Sequence, residues 1–372
     1  MEWFKTADVS IHVVATGAGA GLQNTLWGEP GCSAYFSGAS FPYAKEEQEE
    51  LLGFMPTQFC SEEAAVDLAS AAYMKAYKFG GKQPVGVGIA ASVTSNKLHR
   101  GDHRIFAVCM TDTKVVSWSI SLPKGSKDTT THFRLLDGDE ADLAGLHVLD
   151  EAFIDSGEFS GPLADKMQTH DATELANARF FEHPFFTSNG RRLHEMPAGK
   201  HWALMSGAYN PPHLGHFGMA EQVWDTYNRK AVFEITAEPP HKDALTVQDM
   251  LKRAKLLQGY DRLFTRGLGL YLDKARAYPR TPIVMGADAM VRLFDPKWGK
   301  TPAELITEFY NVGTDFYVAG RQIDGKFVVA ADIISMIHDQ LDDDQRQLAE
   351  EIILPIDGRW DISSTELRNK RP

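Results

Sequence analysis

Histidines one helical turn apart can hold a metal, clamp a phosphate or sit idle on a surface. The stretch SGAYNPPHLGHFGMAE (206–221) presents His213 and His216 at that spacing. Gly207 allows a backbone to approach a ligand closely, and the N–H groups beside it can face an anion. Pro211 and Pro212 stiffen the exit and delay helix formation. A helix starting near Leu214 then directs its positive end at the same point. No third metal ligand lies in range, so the segment favours an anionic ligand and no protein-held metal is expected. An exposed, idle pair remains the ordinary alternative for HxxH without context.

The elements that must position these residues follow from the hydrophobic pattern. WALMSG precedes the turn as a strand and HFGMAEQVWDTYNR follows as a helix. KAVFEITAE, TPIVMGAD and DFYVAGR read as further strands. TVQDMLKRAKLLQGY and ELITEFYN read as helices, and QRQLAEEIILP runs from helix into strand. Strands separated by helices imply a parallel sheet covered on both faces, with ligands at the carboxyl ends of its strands. The quoted turn leaves the carboxyl end of the first strand of that series. Upstream, IHVVAT, PVGVGIAASV, HRIFAVCM and KVVSWSISL read as strands, and EEAAVDLASAAYMKAY as a helix. The pattern weakens between about 165 and 200.

A chain of 372 residues exceeds one ordinary core, so the expected fold is two α/β domains. Residues 1–165 form the first, 166–198 a linker and 199–372 the second. No apolar run is long enough for a membrane span, and MEWFKTADVSIHVVATGAGAG does not have the pattern of a signal peptide. Cys32, Cys60 and Cys109 are scattered and odd in number, which fits a reducing cytosol rather than a disulfide framework. The net charge of −12 argues against nucleic acid as a partner, while a small anion can still be held by local cations.

SGAYNPPHLGH resembles the signature G-x-[FY]-[DN]-P-x-H-x-G-H of the nucleotidyltransferase superfamily, and ISSTELR (362–368) resembles its second signature. PPHKD (239–243) and IVMGADAMVRLFDPKW (283–298) are similar to segments of bacterial nicotinate-nucleotide adenylyltransferases. The resemblance implies a Rossmann-like domain that transfers AMP from ATP to nicotinamide or nicotinate mononucleotide, releasing pyrophosphate. It implies that His213, His216, Lys242 and Arg368 act as cations on the phosphates. Gly207, Ala208, Tyr209, Asn210, Gly215, Gly286, Asp288, Ser363, Ser364 and Thr365 would line the nucleotide site. Mg²⁺ would arrive with ATP, held by its phosphates and water. Trp298 follows Asp288 at a longer spacing than in the bacterial enzymes, and Arg253 comes later than their arginine after PPHK. Arg321 matches an arginine common at that strand end.

EPGCSAYFSGASFPYAKEEQEELLGF (29–54) and SEEAAVDLASAAY (61–73) resemble the CinA C-terminal family, whose relatives deamidate nicotinamide mononucleotide. The family's serine becomes Thr16, its tyrosine is Tyr43 and its lysine becomes Gln48, with Lys45 nearby in sequence. Without that lysine hydrolysis is expected to be impaired, leaving ligand binding or oligomerisation. The expectation is thus a cytoplasmic, homo-oligomeric adenylyltransferase of NAD biosynthesis. The alternatives are a bifunctional deamidase and adenylyltransferase, another transferase of the superfamily, or a non-catalytic pyridine-nucleotide sensor.

Overall fold

Glycines inside a strand weaken it unless another backbone must come close. In the first half of the chain that is their use. The computed structural model describes residues 6–80, 82–96, 102–122, 131–154, 167–198, 201–360, 362 and 364–369. It divides into two compact units. The first comprises Met1–His183, Arg191–Leu193 and Val247–Lys252, and the second Pro184–Gly190, His194–Thr246 and Arg253–Pro372.

The first unit runs β1 (Val9–Thr16), α1 (Leu22–Trp27), β2 (Phe36–Ser40), α2 (Lys45–Leu52) and α3 (Glu62–Gly80). It continues through β3 (Gln83–Ser92), β4 (His103–Met110), β5 (Val115–Leu122), α4 (Thr131–Ile154), β6 (Met167–Asp171), α5 (Thr173–Glu182) and the two-residue β8 (Arg192–Leu193). Its sheet has the order β2-β1-β3-β4-β5-β6. β1 lies parallel to β2 and β3, and the remaining pairs are antiparallel. A Cβ on Gly86 would stand 2.2 Å from the Tyr73 nitrogen, and one on Gly88 2.2 Å from the Ala65 carbonyl oxygen. PVGVG therefore lets α3 press its alanine face directly onto β3. The stretch expected as a linker carries β6, α5, a two-residue strand at Phe185–Phe186 and β8 over its described part.

The second unit contains β7 (Phe185–Phe186), β9 (Trp202–Ser206), α6 (Leu214–Tyr227), β10 (Lys230–Thr236), α7 (Val247–Leu256, shared between the units), β11 (Asp261–Thr265) and α8 (Tyr271–Ala277). It goes on through β12 (Ile283–Gly286), α9 (Ala287–Leu293), α10 (Pro302–Val312), β13 (Phe316–Ala319), the hairpin β14 (Arg321–Ile323) and β15 (Lys326–Val328), α11 (Ala330–Ile337), α12 (Asp343–Ile352), β16 (Ile353–Ile356) and α13 (Ser364–Asn369). Its strands are ordered β16-β13-β12-β9-β10-β11-β7. All these pairs are parallel except β7 on β11. One core layer packs Ile283, Met285, Phe309, Phe316, Ile333 and Ile353 between the sheet and its helices. The order reverses at β9, where β10 lies on one side and β12 on the other, and a crevice opens at such a point. Among the described residues, no helix is long and apolar enough to cross a membrane.

Candidate functional site

β9 ends at Ser206, and the chain leaves the reversal point through Gly207. The Gly207 N–H donates to the Glu234 carbonyl at 3.0 Å. A Cβ there would stand 2.8 Å from the Tyr209 ring, so a side chain at this position would force the turn open. Tyr209 has φ +48°, a left-handed conformation that a bulky residue adopts only when its surroundings hold it there. They do. Its hydroxyl donates to the Met205 carbonyl, and its ring meets Phe233 and His216 at centroid distances of 5.1 and 4.8 Å. Tyr209 is buried, so this expected nucleotide contact offers its backbone, while its side chain belongs to the core. Ala208 and Asn210 are exposed beside it, and the Asn210–Pro211 peptide is cis.

His213 stands at the N-cap of α6 in extended backbone. Its N–H donates to His216 Nδ1 at 3.1 Å, and the two rings stack at 3.7 Å and 25°. An Nδ1 that accepts carries no proton, so the neutral imidazole keeps its proton on Nε2, as a donor. Burial, then His213 and Arg321, push the His216 pKa down to about 3. In the free protein His216 is therefore a neutral donor rather than the expected cation, because its surroundings penalise the charged ring. Gly215, next to it, is held close, since a Cβ would lie 3.0 Å from Trp360 Cβ.

The second signature meets the first although more than 150 residues separate them in sequence. Ser364 Oγ donates to the Pro211 carbonyl at 2.8 Å, and Arg368 Nη1 donates to the Asn210 carbonyl at 2.5 Å. Ser363 lies outside the described residues, and Thr365 falls within α13. The return path is fixed by Trp360. A Cβ on Gly218 would stand 2.4 Å from its indole nitrogen, and one on Gly358, at φ +125°, 2.4 Å from its ring edge. Arg321 Nη1 donates to the Trp360 and Ile362 carbonyls at 2.7 and 3.1 Å. Sequence reasoning missed Trp360. Its signal is the Gly215/Gly218 pair, which clears one side of α6 for a large ring.

The remaining expected residues border this turn less directly. Gly286 ends β12, and Asp288 lies in the first turn of α9, paired with Arg292 at 2.7 Å and facing Arg321 at 3.6 Å. Asp288 is thus already engaged by arginines. Lys242 is exposed in the turn after β10, with its backbone N–H on the Pro239 carbonyl at 3.3 Å. Its neighbour His241, at φ +59°, tilts over Trp298 at a centroid distance of 5.5 Å. The longer spacing to Trp298 therefore still brings it to the PPHK turn. Arg253 Nη1 donates to the Ala208 carbonyl at 3.0 Å and so reaches the turn after β9 despite its late position.

In the first unit, Thr16 Oγ accepts from Gln48 Nε2 at 2.8 Å and donates to the Pro42 carbonyl at 3.1 Å. Both side chains are buried. The structure joins the two residues aligned with a nucleophile and its base, but an amide donor is where the base would stand. Tyr43 is exposed, and its hydroxyl accepts from Arg134 Nη2 at 3.0 Å. The Lys45 ammonium lies over the Phe59 ring at 5.3 Å.

Residues 204–370 match the family described as cytidylyltransferase-like. A stretch of 56 residues is 41% identical to probable nicotinate-nucleotide adenylyltransferases of Lactiplantibacillus plantarum and Exiguobacterium sibiricum. It covers 15% of this chain and 26% and 29% of those proteins, so the chain spans between a quarter and a third of the curated relatives it matches. Among solved structures, a competence-damaged protein (CinA) superfamily protein from Escherichia coli is similar over 38% of this chain and 81% of its own, at 13% identity and a TM-score of 0.30. One from Enterobacter cloacae is similar over 38% and 85%, at 11% identity and a TM-score of 0.30. The stretch that matches the cytidylyltransferase-like family, 204–370, has a Rossmann-like fold.

Proposed function

We propose that the second unit transfers AMP from ATP to nicotinate or nicotinamide mononucleotide, making the dinucleotide and pyrophosphate. The observation that carries this reading is the direct bonding of Ser364 and Arg368 to the carbonyls of Pro211 and Asn210. It gathers one helix N-terminus, two histidines and an arginine around a single turn. The mononucleotide phosphate attacks the α-phosphorus of ATP in line, and the bond to the β,γ-diphosphate breaks. No covalent protein intermediate is needed, so alignment and charge stabilisation do the catalysis.

α6 directs its positive end at the turn, and His216 Nε2–H and the Arg368 guanidinium hold the oxygens on which charge builds. Gly207, Ala208 and Asn210 supply backbone, Gly215 clears space beside His213, and Ser363 to Thr365 and Lys242 complete the phosphate contacts. Gly286 and Asp288 border the nucleoside, and the His241–Trp298 pair faces the pyridine. Among the described residues no group of three or more His, Cys, Asp or Glu is arranged to hold a metal. Mg²⁺ would be carried in on the ATP phosphates, where it neutralises their charge. The reading includes a reducing cytoplasm, in keeping with three free cysteines, and assembly with further copies of the chain.

The experiment incubates the protein with ATP, Mg²⁺ and each mononucleotide, and follows pyrophosphate and dinucleotide by chromatography. Failure to form pyrophosphate with either acceptor refutes the proposal.

A further inference from the structure

Beneath the phosphate turn lies a charged pair that neither signature contains. Glu234, on β10, is 0% exposed, and Lys274, on α8, is 2% exposed. Glu234 Oε2 accepts from Ser206 Oγ at 2.5 Å. Its Oε1 accepts from Thr265 Oγ1 at 2.5 Å and from Lys274 Nζ at 2.9 Å. The register brings these groups together: Glu234 is paired with Ser206 across β9 and β10, and Thr265 ends β11. Three adjacent parallel strands thus end on one carboxylate. Burial first, and then its charge, push up the hydroxyls of Tyr209, Tyr271 and Tyr278 around it.

A buried ion pair is a poor device for stability alone, since well-packed apolar residues of similar volume often serve as well or better. It differs from them in being directional. The Glu234 side chain fixes Ser206, while its carbonyl fixes Gly207. Lys274 donates its second bond to the Leu268 carbonyl at 2.6 Å and so anchors the loop after β11. That loop in turn touches the segment before His241 and Lys242. The Gly267 N–H donates to Glu238 Oε2 at 3.1 Å, and a Cβ on Gly269 would stand 3.0 Å from Pro240 Cγ.

We propose that Glu234 and Lys274 are positioning residues that set the phosphate turn at 206–213 against the PPHK turn at 239–243, and so one substrate against the other. The kinetic consequence rests on the adenylyl-transfer reading, whereas the structural consequence does not.

The test uses the full chain with Glu234→Gln, Lys274→Met and the double variant. Turnover, KM for each substrate and residue-level hydrogen exchange are measured on all of them. Each single variant leaves one buried charge unpaired, so the double variant, which removes both, is the one that keeps the fold where a single variant does not. Exchange at 207 and at 267–270 is expected to rise at least about tenfold above the change in the rest of the second unit. The double variant removes both buried charges and is expected to regain thermal stability, yet to keep a kcat/KM at least about tenfold below wild type. Exchange that rises equally throughout the unit overturns the proposal, as does a double variant with wild-type kinetics. If the wild type makes no pyrophosphate, the adenylyl-transfer reading fails, and the exchange pattern alone decides the positioning role.

Discussion

Replacing His216 by alanine removes three things at once: the Nε2–H donor, the acceptor for the His213 N–H, and the ring stacked on His213. Only the first belongs to the reaction. A preorganised donor that meets developing charge is worth about 3–4 kcal/mol, or roughly 100- to 1,000-fold in kcat. The other two act on the folded state. An N–H left without its acceptor costs about 1–3 kcal/mol when buried, and toward the lower end here, where the cavity left by the ring lets water reach the helix start. The expected phenotype is therefore a kcat reduced at least about 100-fold with a modest loss of thermal stability and little change in the KM for the mononucleotide.

The pH axis separates a neutral donor from a cation. With a pKa pushed down to about 3, His216 keeps one protonation state across the pH range of the assay. Pyrophosphate release at saturating substrates, followed from about pH 5.5 to 8.5, should show no acid-side limb that belongs to this residue. A limb near pH 6.5 that disappears in His216→Ala would make the histidine a cation and refute the tautomer argument. Turnover unchanged within about threefold would remove it from the mechanism altogether.

Arg368→Ala should lower kcat/KM by roughly 10- to 100-fold in the pyrophosphate assay, the worth of one charge-assisted hydrogen bond, and a wild-type value would mean that Arg368 only ties down α13. Gly218→Ala places a methyl 2.4 Å from the Trp360 indole nitrogen, so it should move Trp360, shift the intrinsic tryptophan emission and raise the KM for ATP; unchanged emission and KM would deny Trp360 its positioning role. Because folding lowers the His216 pKa from 6.5 to about 3, the unfolded chain binds the proton more tightly. The corresponding stability is present above about pH 6.5 and is lost progressively as pH falls toward 3, and His216→Gln should flatten that part of the melting profile. Nicotinamide mononucleotide incubated without ATP should stay intact, since Thr16 faces the Gln48 amide and no base. Deamidated product from the wild type would contradict that chemistry, and Gln48→Lys is the variant expected to gain it.

The parts of the site legible in sequence are those whose chemistry is local. Turn, helix start and histidine pair sit within one short segment, so their geometry follows from neighbours along the chain. The parts that were not legible depend on partners far away. DRLFT begins with two charged residues and carries no strand signal, yet it forms β11, hydrogen-bonded between β10 and β7. Asp261 is buried because it accepts from the Ser188 N–H at 2.9 Å. Arg262 is buried because it donates to the Ala254 and Thr187 carbonyls at 2.9 Å. Glu234 breaks the apolar run of KAVFEIT in the same way, and Lys274, forty residues on, together with the Ser206 and Thr265 hydroxyls makes its burial tolerable. A charge inside an apolar strand thus has no local explanation, and the fold has to supply a partner for it. The turn at 206–213 could be read from the sequence because its residues carry their own reason, whereas the pair beneath it emerged only once three strand ends had been brought side by side.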